Sequence, residues 1–172
     1  WDKSTGKNLF YDEKSSTKMS SFMESYIAGL LTCLPEVLPM YAPTINSFKR
    51  LVEGAWAPTT LTWGIDNRTT AIRALPGSAN STRIELRVPG SDSNPYLAMS
   101  AALASGLYGV KNNLKLSSKP VIGNGYEDKS NGILPGTLKD ATKIFKNSKI
   151  ANELFGESFV KHFSQTREWE CR

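Results

Sequence analysis

The segment Arg83-Ile84-Glu85-Leu86-Arg87 places a carboxylate between two guanidinium groups at a spacing of two. Side chains alternate along a strand, so Arg83, Glu85 and Arg87 would share one face and Ile84, Leu86 and Val88 the other. Three further arginines lie just upstream: Arg50, Arg68 and Arg73. Five of the seven arginines thus fall in the middle of the chain, where Lys49 is the only lysine. Arginine is preferred to lysine where a planar, bidentate contact to carboxylate or phosphate is required. One reading is an anion site in which guanidiniums converge on phosphate and carboxylate groups and Glu85 binds a cation. Such parts suit phosphoryl transfer, which depends on positioning and charge neutralisation. The other reading is an exposed strand face of salt-bridged charges, each pair contributing little.

The elements that must position these residues are legible from periodicity and punctuation. Met19, Phe22, Met23, Tyr26, Ile27, Leu30, Leu31 and Leu34 recur at helical steps and predict a helix over 17–34, stopped by Pro35. Ser21 and Glu24 would form a capping box if that helix starts late. Residues 39–58 carry Pro39, Pro43, Gly54 and Pro58 and read as a long irregular segment. Three strands are predicted at 59–65, 69–75 and 82–88; their short connections favour an antiparallel meander. Asn94-Pro95 starts a helix over 95–110 whose small residues imply burial nearly all round. Thr137 caps another helix, and a last helical stretch to about 170 breaks near Gly156. The fold class is α+β, a short antiparallel sheet with helices packed around it.

Composition bounds the rest. The chain has 172 residues, 40% hydrophobic and 22% charged, which suits one domain with a real core. No apolar run is long enough to span a membrane. The net charge of +5 is spread over lysines near the chain ends, which argues against a nucleic-acid partner. Cys33 and Cys171 form neither a disulfide framework nor a metal cluster, and two free thiols suit a reducing cytoplasm. The sequons at Asn67 and Asn80 carry little weight without a secretion signal. The start at Trp1 offers neither an initiator Met nor a signal peptide and suggests part of a longer protein. A Walker A motif and a dinucleotide fingerprint are missing, and the single histidine, His162, sits in a Phe-rich helix as a structural or surface residue.

The chain resembles the glutamine synthetase superfamily in its C-terminal catalytic domain. The resemblance runs through Gly6-Lys7, Leu9-Phe10, 42–51 (APTINSFKRL), Asn67-Arg68, Arg83–Arg87, 94–98 (NPYLA), Leu134-Pro135-Gly136 and Arg167-Glu168-Trp169. It implies that residues 1–172 are the C-terminal part of such a domain. It also implies a cytoplasmic ligase that phosphorylates the γ-carboxyl of glutamate from ATP, with Mg2+ or Mn2+, and then joins it to ammonia or an amine. The family assembles as stacked rings, so a decameric or dodecameric homo-oligomer is implied. By the same resemblance Arg50, Arg68 and Arg87 hold substrate, with Arg68 also facing the transferred phosphoryl group. Arg68, Arg73 and Arg83 face ATP phosphates, and Glu85 is a metal ligand.

Two departures matter. Family members carry a flap glutamate where this chain has Trp56, and an ATP-contacting lysine falls at Asn80. Trp at that position is similar to the branch holding γ-glutamylpolyamine synthetases, related fungal proteins and lengsin. Two expectations follow: a carboxylate–amine ligase, or a catalytically inactive, lengsin-like structural or chaperone-like protein of the eye lens. Because one metal carboxylate cannot hold a metal cluster, the 172-residue chain alone is expected to turn over no ATP; turnover that survives a mutant control would refute a site shared between subunits.

Overall fold

A computed structural model describes residues 1–172. Six helices are present: α1 (Ser21–Val37), α2 (Ser47–Arg50), α3 (Pro95–Lys111), α4 (Leu138–Asn147), α5 (Lys149–Phe155) and α6 (Glu157–Glu170). The chain also forms a three-stranded sheet of β1 (Trp63–Ile65), β2 (Ile72–Leu75) and β3 (Arg83–Leu86), in that spatial order. The α+β class is as the sequence implies.

The first helix starts later and ends later than its periodicity suggests. Met19 pairs with Tyr11 in an isolated bridge, and Ser20, not Ser21, is the N-cap, its hydroxyl accepting from the Met23 amide at 3.1 Å. Pro35 does not stop the helix but lies inside it. Its missing N–H deprives the Leu31 carbonyl of a donor, yet both residues are only half-buried and line a surface crevice. A single 3₁₀ turn at Leu38–Met40 ends the element.

The sheet is mixed, and the predicted antiparallel meander is wrong at one of its two pairings. β2 and β3 are antiparallel, but β1 runs parallel to β2, with Trp63 opposite Ile72 and Ile65 opposite Ala74. Parallel neighbours usually need a crossover of a dozen or more residues. Here the strands are three and four residues long, so the six-residue segment 66–71 can carry the chain back. Each strand is shorter than predicted, and the threonines flanking them add side-chain bonds at their ends. The Thr60 hydroxyl donates to the Gly125 carbonyl at 2.9 Å, and the Thr62 hydroxyl accepts from the Ala71 amide at 3.3 Å.

The core joins α1, α3, α4 and the inner face of the sheet. Met23, Ile27, Leu34, Ile72, Val88 and Phe145 are all fully enclosed. α1 crosses α3 at backbone contact distance. A Cβ added at Gly29 would lie 2.3 Å from the Ser105 carbonyl oxygen, and one at Gly109 would lie 2.0 Å from that of Ser25. Helix α3 is not buried all round: Ala98, Ala101, Ser105 and Gly109 face α1 or the core, whereas Tyr96, Met99 and Leu103 are more than half exposed. Its small residues serve one close crossing rather than a fully enclosed helix. α4 is capped by the Thr137 hydroxyl, which accepts from the Asp140 amide. Between α5 and α6, Gly156 at φ 82° makes the break, a backbone conformation that suits glycine.

The close crossing yields a stability test. Gly109→Ala forces a methyl into backbone that cannot yield, so it should cost about 1–3 kcal/mol in chemical denaturation. Gly136→Ala, where an added Cβ meets nothing within 4 Å, serves as control. Equal effects of the two substitutions would refute the crossing geometry.

Candidate active site

The antiparallel register of β2 and β3 sets Arg73 directly opposite Glu85. Arg73 Nη1 donates to Glu85 Oε2 at 3.2 Å, and Arg87 Nε lies 3.2 Å from Glu85 Oε1. The two carboxylate oxygens thus go to different guanidiniums, one from β2 and one just past the end of β3. Arg87 Nη1 also donates to the Arg68 carbonyl. Arg50, at the end of α2, donates through Nη1 to the Val88 carbonyl at 2.8 Å and through Nη2 to the Arg87 carbonyl at 3.1 Å. Polar contacts thus link Arg50, Arg68, Arg73, Glu85 and Arg87. On the other side of the strand Ile84 and Leu86 pack on the core and Val88 is fully buried, as the alternation requires.

The loop between β1 and β2 carries Arg68, and Asn67 fixes it. The Asn67 amide donates to the Val121 and Gly123 carbonyls at 3.1 and 2.9 Å, and its oxygen accepts from the Thr69 amide and hydroxyl at 2.9 and 2.6 Å. The side chain thereby uses its donors and acceptor in one local turn and one long-range anchor. Arg68 itself is exposed and enters none of these ion pairs. It is a guanidinium on a braced backbone.

Arg50 is braced in the same way. The Asp92 carboxylate accepts from the hydroxyls of Ser47 at 2.6 Å and Thr44 at 3.2 Å. Arg167 of α6 donates to the Pro43 carbonyl while its guanidinium carbon sits 5.0 Å from the centroid of the Phe163 ring.

Asp66 is the residue that the sequence reading missed. Its Oδ1 accepts from Arg73 Nε at 3.0 Å and from Arg73 Nη2 as well. These hydrogen bonds first, and then the charges of Asp66 and Glu85, raise the pKa of Arg73 above its ordinary value. Asp66 lies seven residues before Arg73 with no strand or helix period linking them, so only the parallel return of the chain brings the two together.

Two predicted site residues stand apart from this network. The Arg83 guanidinium is exposed and donates to the Ser81 carbonyl at 3.0 Å. With Trp1, Leu9, Phe10, Tyr26 and Asn80 it lines a different cleft of about 550 Å3. Trp56 is 81% exposed in the loop after α2, at φ 58°. A bulky residue in the left-handed region is unusual, and such strain concentrates at functional segments. Glu85 offers oxygens suited to a divalent cation, but no three His, Cys, Asp or Glu residues cluster anywhere. The residues of this chain do not form a metal centre by themselves.

The description "glutamine synthetase, catalytic domain" matches residues 1–172. This chain belongs to the glutamine synthetase catalytic-domain family. It is 54% identical over 171 residues to type-1 glutamine synthetase 2 of Dictyostelium discoideum, covering 98% of this chain and 33% of that protein. It is 36% identical over 169 residues to a glutamate–isopropylamine ligase of a Pseudomonas species, covering 97% of this chain and 37% of the relative. A solved structure of GmaS in complex with ADP superposes with a TM-score of 0.80 at 29% identity, over 95% of this chain and 38% of the other. The chain thus spans about a third of the length of the curated relatives it matches.

Asn67→Ala removes the brace under Arg68. Losing those part-buried contacts should cost about 1 kcal/mol and speed amide hydrogen exchange at Thr69, leaving α4 and α6 protected. Unchanged exchange at Thr69 would show that the loop does not depend on Asn67.

Proposed function

We propose that this chain forms the C-terminal part of the catalytic domain of an ATP-dependent ligase joining a glutamate-type carboxylate to an amine. The single observation carrying this reading is the run of arginines linked through Glu85 and the backbone carbonyls of β3 and the Arg68 loop, in a chain of this family. The named relatives are glutamine synthetases and γ-glutamyl amine ligases, which support the ligase reading and lend none to a structural lens protein.

In this proposal a carboxylate oxygen of the substrate attacks the terminal phosphorus of ATP and ADP departs. An amine nitrogen then attacks the acyl carbon, inorganic phosphate leaves, and the nitrogen gives up a proton. Arg68, exposed and unpaired, meets the charge developing on the transferred phosphoryl group. Arg50 and Arg87 hold the substrate carboxylates. Arg73 faces the nucleotide phosphates from the sheet. Arg83 does so from the neighbouring cleft, whose aromatic and apolar lining suits a nucleobase. A divalent cation, when bound, would neutralise phosphate charge with Glu85 as one ligand. Its further ligands lie outside this chain, and the steps above do not pass through it. An assembly of several copies, by analogy with the family, would complete the site.

Trp56 bears on the acceptor. An indole cannot take a proton from ammonium or hold it by charge, but it offers an apolar wall and a cation–π face to a larger amine. In the intact protein, ammonia should therefore drive less phosphate release than an organic amine, and Trp56→Glu should raise the relative use of ammonia. The measurement is phosphate release with glutamate and ATP across a panel of amines, for both forms. Ammonia matching every amine in the wild type would defeat the acceptor assignment. No release with any amine, despite bound nucleotide, would defeat the ligase reading.

A further inference from the structure

We infer that Asp66 is a positioning residue that presets the Arg73 guanidinium for a nucleotide phosphate. The inference rests on the reading above, in which Arg73 faces nucleotide phosphates.

Arg73 has five N–H donors in a fixed plane. Nε and one N–H of Nη2 go to Asp66, and one N–H of Nη1 goes to Glu85. One N–H on each terminal nitrogen is left over for a further acceptor such as a phosphate oxygen. The side chain of Arg73 is only 14% exposed while that of Asp66 is 69% exposed. The guanidinium is therefore enclosed and gripped along one edge from the solvent side. An arginine without such a grip would lose rotamer freedom on meeting phosphate; one already fixed loses less.

The backbone shows that this placement is built in. Asp66 follows the last residue of β1 and adopts φ 47°, in the left-handed region that aspartate and asparagine visit more readily than most residues. Its amide donates to the Ala74 carbonyl at 2.8 Å, extending the β1–β2 ladder by one bond. The ladder fixes the Asp66 backbone against the residue that follows Arg73, and the left-handed turn there leads into the Asn67 brace. The network then holds two carboxylates among its arginines, so Asp66 lowers the local positive charge. A residue serving only to attract phosphate would not be an acid. Orientation, rather than net charge, is what it contributes.

The test uses the intact protein and two substitutions that tolerate a left-handed backbone. Asp66→Gly removes the grip entirely, and Asp66→Asn keeps an acceptor oxygen but loses the charge. The Kd for ATP with magnesium is measured by calorimetry, together with KM for ATP and for the amine. Asp66→Gly should weaken ATP binding about tenfold and Asp66→Asn by less, with the amine KM within about twofold of wild type. Arg73→Gln should weaken binding too, and adding Asp66→Gly to it should cause no further loss. Wild-type or tighter ATP binding in Asp66→Gly, with Arg73→Gln impaired, would overturn the positioning role alone. Unimpaired binding in Arg73→Gln would remove the phosphate role of Arg73 and this inference with it. Additive losses in the double variant would show that Asp66 acts other than through Arg73.

Discussion

Glu85 is the carboxylate on which the arrangement of the site depends. One side chain on β3 accepts from Arg73 of the neighbouring strand and faces Arg87 two residues along its own. Two guanidiniums brought this close would repel each other without it. With it, their planes are fixed on either side of a shared anion, and Arg87 is directed onto the Arg68 carbonyl. The pairing is a matter of register. A slip by one residue between β2 and β3 would set Arg73 opposite an apolar side chain and turn the charged face inward. What prevents the slip is the buried face: Ile72 and Val88 are fully enclosed.

The helices matter to the site because they hold that face. α1 and α3 approach so closely that their glycines face backbone atoms, and the buried residues of the sheet belong to the same hydrophobic core as the residues of these helices. The loops are fixed from the opposite direction, by polar side chains that make several bonds each. Asn67 secures the Arg68 loop to residues 121–123, Asp92 secures the Arg50 segment, and Arg167 reaches it from the last helix. Charged groups placed by backbone carbonyls and by one another need not reorganise when an anion arrives.

Most of this was legible in the sequence where a period or a cap writes it. The alternation in Arg83–Val88, the Asn94 and Thr137 caps and the break at Gly156 all follow from local chemistry. The misreadings have a common source in tertiary context. Pro35 is tolerated because its side of α1 is half open to solvent. The parallel β1–β2 pair defeats a rule based on connection length because the strands are so short. The small residues of α3 signalled a close approach but not on how many sides. Asp66 could not be picked out, because its partner is defined by that unforeseen parallel return.

The resemblance to a ligase family and the physical reading select the same arginines, but they do not explain them equally. Resemblance assigns Arg83 and Arg73 a common role on phosphate. The structure separates them: Arg73 is enclosed between two carboxylates, whereas Arg83 is exposed in an apolar cleft beside Trp1 and Asn80. A guanidinium paired on both sides is restricted in orientation, while an unpaired, exposed one is freer to move. The two guanidiniums therefore differ in setting, one held on both sides by carboxylates and one open at the rim of an apolar cleft. The sheet supplies the first because its register is rigid. The first residue of β3 supplies the second because its partner Ser81, in the preceding loop, is itself exposed.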